Sequence, residues 1–484
     1  DLTGDWSSDV CSSDLFKFII DNIVTISFKI DIVNKRDEVD KMKKEFTEKQ
    51  NYREFLRYVS PSIVTMVFLS FYTTIDGFFV SRYVNSDALA AINIVIPLTC
   101  IVFGIAVMLA TGSGALVGMK LGEGNKKEAD KLFSFITITL GVIAIMLTIL
   151  GLVFLKPILI FLGATEKLLL YTMSYGFITV LMTIPMMFKL YFEYYARVDG
   201  APKLSLIMSS LGLILNIILD FLFIVIFKMG ILGAALGTFF SITISALIGL
   251  FYFLSKGSLL NFCKTKFYGK LLWNSCYNGS SEMFTELSTG ISTYLFNISI
   301  LAFHGENGIS AMSIIIYIYY FFIAIYFGVS VGISPIISFN YGAKNKEKIL
   351  ESLKHSFVTI AWSSILIFLI SMFLGKYIIG IFTTDMAVYN ITTYGMKLFS
   401  FAFLIIGINI FVSGYFTAIG NGKISAIISI SRSLIFVVAT IMILPKFIGV
   451  DGIWLAIPVA ELITIFITIY FYSKNGRVSS YMKD

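Results

Sequence analysis

The sequence predicts an all-α polytopic membrane protein: twelve transmembrane helices in two six-helix lobes related by a parallel pseudo-two-fold repeat. Three observations lead there. Hydrophobic residues make up 57% of the 484 positions and charged residues only 14%, a balance that suits a chain whose solvent is lipid. The apolar residues fall into runs long enough to cross a bilayer as helices, the form in which a single segment satisfies all its own backbone polar groups. Finally, several short stretches recur in the same order in the two halves of the chain.

Residues 1–54 read as an N-terminal extension. Its first 15 residues, DLTGDWSSDVCSSDL, are polar, repeat SSDV/SSDL and look like a cloning or assembly scar, so they are set aside from fold reasoning. Phe16 to Val33 is apolar but broken by Lys17, Asp21, Lys29 and Asp31, too short and too charged to span; Met42 is the expected natural start. No cleavable signal peptide is evident.

The twelve expected spans are 58–81, 91–117, 132–155, 168–195, 204–227 and 232–255 in an N-lobe of residues 55–255, then 277–302, 309–337, 355–375, 388–416, 424–445 and 452–472 in a C-lobe of residues 277–473. Residues 256–276 are the expected linker, carrying Lys256, Lys264, Lys266 and Lys270, and residues 474–484 the tail. Alternate connections collect 18 Lys and Arg on one side and 6 on the other. The positive-inside rule then places the linker and both termini in the cytoplasm, with a bacterial inner membrane as the expected location. This asymmetry accounts for the net charge of +7 without a nucleic-acid partner.

The repeat rests on four matches. LGEGNKKE from Leu121 pairs with YGAKNKEK from Tyr341, and ALAAINI from Ala88 with NGISAMSI, aligning Ala91 with Ala311. GILGAALGT from Gly230 pairs with GVDGIWLAI from Gly449, and ARVDGAPK from Ala196 with AIGNGK from Ala418. Six spans per half is an even number, so both halves cross the membrane in the same sense, an arrangement associated with secondary transporters.

Candidate chemistry centres on the fifth span. Asp220 lies inside an apolar run, with Asn216 four residues earlier on the same helix face. An ionisable group at bilayer depth costs about 2.5–3.5 kcal/mol on insertion scales and marks an ion path, a partner or a watered cavity; a helix-end or snorkelling aspartate is the bland reading. Asp76, near the outer end of span 1, reads equally as an interfacial aspartate. Counting along spans 1, 5 and 6 brings Asp76, Asn216, Asp220 and Thr238 to one depth. Such an oxygen set suits a proton or a hard cation such as sodium. Glu282 and Glu286, one turn apart in span 7, suit attraction of a cationic substrate or an ordinary cytoplasmic helix entrance. Lys189, Glu193, Lys397, Arg432 and Glu461 read as structural ion pairs or snorkelling groups.

Enzymatic readings find little support. The two histidines, His304 and His355, fall on opposite sides of the expected membrane, and no Walker-type loop is present. Cys11, Cys100, Cys263 and Cys276 show no metal-ligand spacing. No cofactor is expected, and energy would have to come from an ion gradient.

TTIDGFFVSRYVNSDALAAINIVIP, RVDGAPK, NIILDFLFI, GILGAALGT, PIISFNYGAKN, ISISRSLI and GVDGIWLAIPVAE together resemble the multidrug and toxic-compound extrusion (MATE) family, most closely its MepA-like bacterial branch, over roughly residues 55–472. The resemblance implies a V-shaped pair of six-helix lobes that expels organic cations in exchange for protons or sodium ions; small amphipathic cationic substrates and the lipid bilayer are the expected partners, and a monomer the expected state. It also implies a cation site at Asp76, Asn216, Asp220 and Thr238. This chain departs from some members in having Phe221 where they carry Pro. Its tenth span lacks the acid used by another branch in the C-lobe. The alternative from the same superfamily is a flippase of lipid-linked precursors, which calls for a cationic cavity; few basic residues lie in the spans.

Overall fold

A computed structural model describes residues 46–84 and 86–475, apart from the side chains at 72–74, 76–78, 81, 86, 89 and 475. Residues 1–45 and 476–484, with the Met42 start and most of the expected tail, lie outside the described residues. The first lobe comprises α1 (Tyr52–Tyr83), α2 (Ser86–Gly122), α3 (Lys126–Phe161), α4 (Glu166–Val198), α5 (Pro202–Asp220, prolonged by a π-helical stretch Phe221–Ile226) and α6 (Gly230–Leu254). The second begins with a helix over Gly269–Gly342, bent at Gly305 into α7 (269–304) and α8 (306–342). It continues with α9 (Lys346–Phe382), α10 (Met386–Ala418), α11 (Gly422–Ile448) and α12 (Ala456–Asn475).

Among the described residues ten helices are long and apolar enough to cross a membrane. Dividing one of them at Gly305 and adding α1 gives the twelve expected from the sequence. The protein is therefore a multi-pass membrane protein. Most helices run several residues beyond the expected spans, and three of the differences have a local cause. Asn51 caps α1 with a reciprocal Glu54 bond, so that helix begins before residue 55. Helix α7 begins at Gly269, within the expected linker, because Ser275 and Asn278 are buried rather than solvated; Asn278 Nδ2 donates to Gly112 O at 3.3 Å and Thr417 O at 2.9 Å. No loop separates α7 from α8: Gly305, at φ 59 and ψ −148, turns the chain by itself.

The duplication is visible in the turns. Gly124 and Lys344 both adopt left-handed backbone, at φ 75 and 55, ahead of Asn125 and Asn345, which cap α3 and α9 through Glu128 N and Lys348 N. Gly200 and Gly420 repeat that pattern ahead of α5 and α11, at φ 81 and 77. The lobes also meet reciprocally. A Cβ at Gly122 would overlap Phe339 O, and one at Gly342 would overlap Met119 O, the mutual contact that a two-fold relation generates. Gly112 against Ser275 O and Gly279 against Met108 O extend this backbone contact between α2 and α7. These contacts lie toward the end that carries the Lys-rich turns, hereafter the basic end.

Two further segments tie that end together. Phe46, 1% exposed, packs edge-on against Tyr58 of α1 and Phe339 of α8, and its carbonyl accepts from Asn340 Nδ2 at 2.8 Å. Gln50 N donates to Glu351 Oε1 of α9 at 2.6 Å. The leader before α1 thus straps the first lobe to the second. The linker lies on the first lobe. Asp199 accepts from Tyr252 Oη at 2.7 Å, Leu260 N at 2.8 Å, Leu259 N at 3.0 Å and Ser258 Oγ at 3.3 Å.

Candidate cation site

Asn216 and Asp220 project one helical turn apart from the buried face of α5, and both are fully buried. Asn216 Nδ2 donates to Thr238 Oγ1 of α6 at 3.3 Å, and that hydroxyl donates to Ala234 O at 3.1 Å. Thr238 is 7% exposed. The close approach of α5 and α6 depends on Gly237, where a Cβ would collide with Asp220 Oδ1. The structure therefore brings Asn216, Asp220 and Thr238 together. Asp76 lies on α1, but its side chain is outside the described residues.

Asp220 closes the regular part of α5, and the π-helical Phe221–Ile226 follows immediately. A widened turn of this kind loosens the ladder of backbone bonds, and such turns recur at functional sites. Carboxylate, amide and hydroxyl oxygens at one spot form a hard donor set, suited to a proton or a sodium ion rather than to a soft metal. Among the described residues no group of three or more His, Cys, Asp or Glu could hold a metal ion.

Glu282 and Glu286 sit on α7, both partly exposed. Glu286 faces α2, its Cβ 3.6 Å from the position a Cβ would take at Gly104. Glu282 lies within electrostatic reach of Tyr194 on α4 and Arg432 on α11, and Glu286 of Cys100 on α2 and Tyr320 on α8. The two carboxylates thus stand between the lobes and apart from the α5–α6 cluster.

The remaining intramembrane charges are mostly paired. Lys189 and Glu193 of α4 form a buried ion pair at 3.3 Å, and Ser209 Oγ of α5 donates to Glu193 Oε1 at 2.6 Å. Lys397 is exposed. In the second lobe Arg432 Nη1 meets Glu461 Oε1 at 3.0 Å, Asn409 Nδ2 donates to Glu461 Oε2 at 2.7 Å, and Thr468 Oγ1 donates to Asn409 Oδ1 at 2.7 Å. Sequence reasoning missed this network as a unit, although Asn409, an amide in an apolar run, was a visible signal. It holds its own cation in Arg432, and so differs in kind from the Asp220 cluster.

A family model described as MatE matches this chain twice, over residues 61–222 and 282–442, once in each lobe. Multidrug export protein MepA of Staphylococcus haemolyticus (strain JCSC1435) is 25% identical over 439 residues, covering 90% of this chain and 96% of that protein. MepA of Staphylococcus aureus (strain N315) is 26% identical over 423 residues, covering 86% and 92%. Among solved structures, MATE in complex with MaL6 superposes with a TM-score of 0.85 at 19% identity, over 90% of this chain and 98% of that one. The MATE multidrug transporter DinF-BH gives 0.81 at 25% identity, over 89% and 98%.

Proposed function

The chain belongs to the MatE family, and from that premise we propose that it is a secondary active antiporter, exporting organic cations or drugs in exchange for protons or sodium ions by alternating access. The observation that carries the reading is the fully buried Asp220 beside the Asn216–Thr238 bond, between two helices of one lobe. An ionised carboxylate there is costly unless a cation neutralises it. Loading a proton or sodium ion therefore changes which shape of the first lobe is stable, and a ligand shifts a conformational equilibrium only by such a difference between its states. Asp76, at the depth expected from its place on α1, completes the proposed site. Relatives named multidrug export proteins support drugs as the exported class.

The substrate half of the cycle falls to the space between the lobes, where Glu282 and Glu286 supply negative charge for an amphipathic cation. The basic end is the cytoplasmic one by its loop charges, so the reciprocal glycine contacts close the protein toward the cytoplasm in the conformation described. The unit of function is the monomer in a bacterial inner membrane. The chemistry requires no cofactor.

The test is efflux from everted vesicles, energised separately by a pH gradient and by a sodium gradient. Asp220→Asn is expected to abolish gradient-driven efflux while the protein still accumulates in the membrane. Wild-type efflux in that variant would refute the assignment of the coupling site.

A further inference from the structure

Below Asp220, a stripe of small and polar residues, flanked by buried apolar ones, runs along α5 toward the basic end. Ser205, Ser209, Gly212, Asn216 and Asp220 follow one another at steps of three or four residues, and all are buried. On α6 the hydroxyls of Thr238, Ser241 and Ser245 share the same interior. Ser205 Oγ finds no hydrogen-bond partner among the described residues, and a buried hydroxyl of that kind is normally satisfied by water. This seam is a potential short circuit: a cation bound at Asp220 could drain along it without the lobes ever moving.

Helix α4 lies antiparallel against this seam and carries a row of charges. The Ser209–Glu193 bond fixes the register. One turn toward the basic end, the buried Arg197 comes level with Ser205; one turn the other way, Lys189 comes level with Leu213, next to Gly212. Gly212 is the one rung of the α5 stripe with no polar group. Lys189 is bound to Glu193 at 3.3 Å. Arg197 is 2% exposed, its Nε and Nη2 donate to nothing among the described residues, and Glu193 is the strongest charge acting on it. Two cations against one carboxylate leave the row net positive in a low-dielectric interior, where a passing cation is repelled far more strongly than in water.

We propose that Lys189, Glu193 and Arg197 form an electrostatic barrier that stops the coupling cation from leaking between Asp220 and the cytoplasm through the first lobe. The inference rests on the coupling role assigned to Asp220. The second lobe supplies an internal comparison. Counted from the matched turns at Gly200 and Gly420, Asn409, Ser413 and Thr417 stand where α4 has Lys189, Glu193 and Arg197, and Thr440 stands where α5 has Asp220. Ser413 bonds Ser429 at 2.8 Å, in the manner of Glu193 and Ser209. Helix α10 of that lobe carries no charged row; its buried pair, Arg432 and Glu461, stands instead where the first lobe has Gly212 and Ser241, and neutralises itself.

The experiment uses purified full-length protein in proteoliposomes, without drug, under an imposed pH or sodium gradient. The neutral triple variant Lys189→Met/Glu193→Gln/Arg197→Gln removes the three charges of the row together, so none of the three is left facing an absent partner. It is expected to dissipate the gradient on the order of tenfold faster than wild type, as a barrier lowered by one such factor gives. Adding Asp220→Asn is expected to restore wild-type tightness. A monodisperse triple variant that is as tight as wild type would overturn the barrier, and so would a leak that survives Asp220→Asn. Drug-for-ion exchange by wild-type vesicles is measured in parallel. If wild type exchanges neither ion, the coupling role falls and the barrier with it; if wild type exchanges but the variant stays tight, the barrier alone falls.

Discussion

At the scale of single residues, the site depends on small groups that the sequence does not advertise. Asp220 and Asn216 were legible because a charge and an amide one turn apart stand out in an apolar run. Gly237 was not, because its role is an approach between helices and has no side chain to signal it. Gly237→Ala is expected to displace the Asp220 carboxylate, costing about 1–3 kcal/mol; thermal melting and gradient-driven efflux, measured together, check both effects. Asp199, in the turn outside the membrane spans, makes a different case. Burial pushes its carboxyl from 3.8 up to about 7, against the pull of its four donors. The folded chain then holds that proton more tightly than the unfolded one. The stability it adds is complete below about pH 4 and is lost as pH rises toward 7. Asp199→Asn, which cannot titrate, is expected to remove this component, so that the melting temperature of wild type relative to the variant falls over that interval and is level above it.

At the scale of elements, apolar periodicity shows where helices run and is blind to how they bend. The π-helical Phe221–Ile226 and Ser431–Ile435 have the same composition as regular helix, since one extra residue in a turn leaves no mark on hydropathy. The first turns of α7, residues 269–276, read as linker because Lys270 and WNSC are polar; they are helix in fact, and Ser275 there, like Asn278 and Ser281 just beyond, is buried against neighbouring helices. Gly305 reads as part of a loop, whereas it is a one-residue corner in a backbone region open to glycine alone. Gly305→Ala is expected to destabilise the second lobe by about 1–3 kcal/mol, measurable as a lowered melting temperature of the whole protein.

At the scale of the whole molecule, the duplication was legible in four short matches, and the reciprocal contact of Gly122 and Gly342 is its physical expression. The contact itself could not be read in advance, because no pattern within one helix reveals which glycines face another lobe. Gly112→Val is expected to wedge α2 from α7 and raise the population open at the basic end, seen as longer distances between spin labels placed on the two lobes there. The strap formed by residues 46–51 was equally hidden, since a charged leader before a first span reads as solvated chain. Its anchorage has a mechanical side. Phe46 is clasped between α1 and α8 while Gln50 holds α9, so every excursion that parts the two lobes at this end must tug on the leader. Anything attached ahead of it would pull on that junction, and the leader is where a force from outside the bilayer would reach both lobes at once.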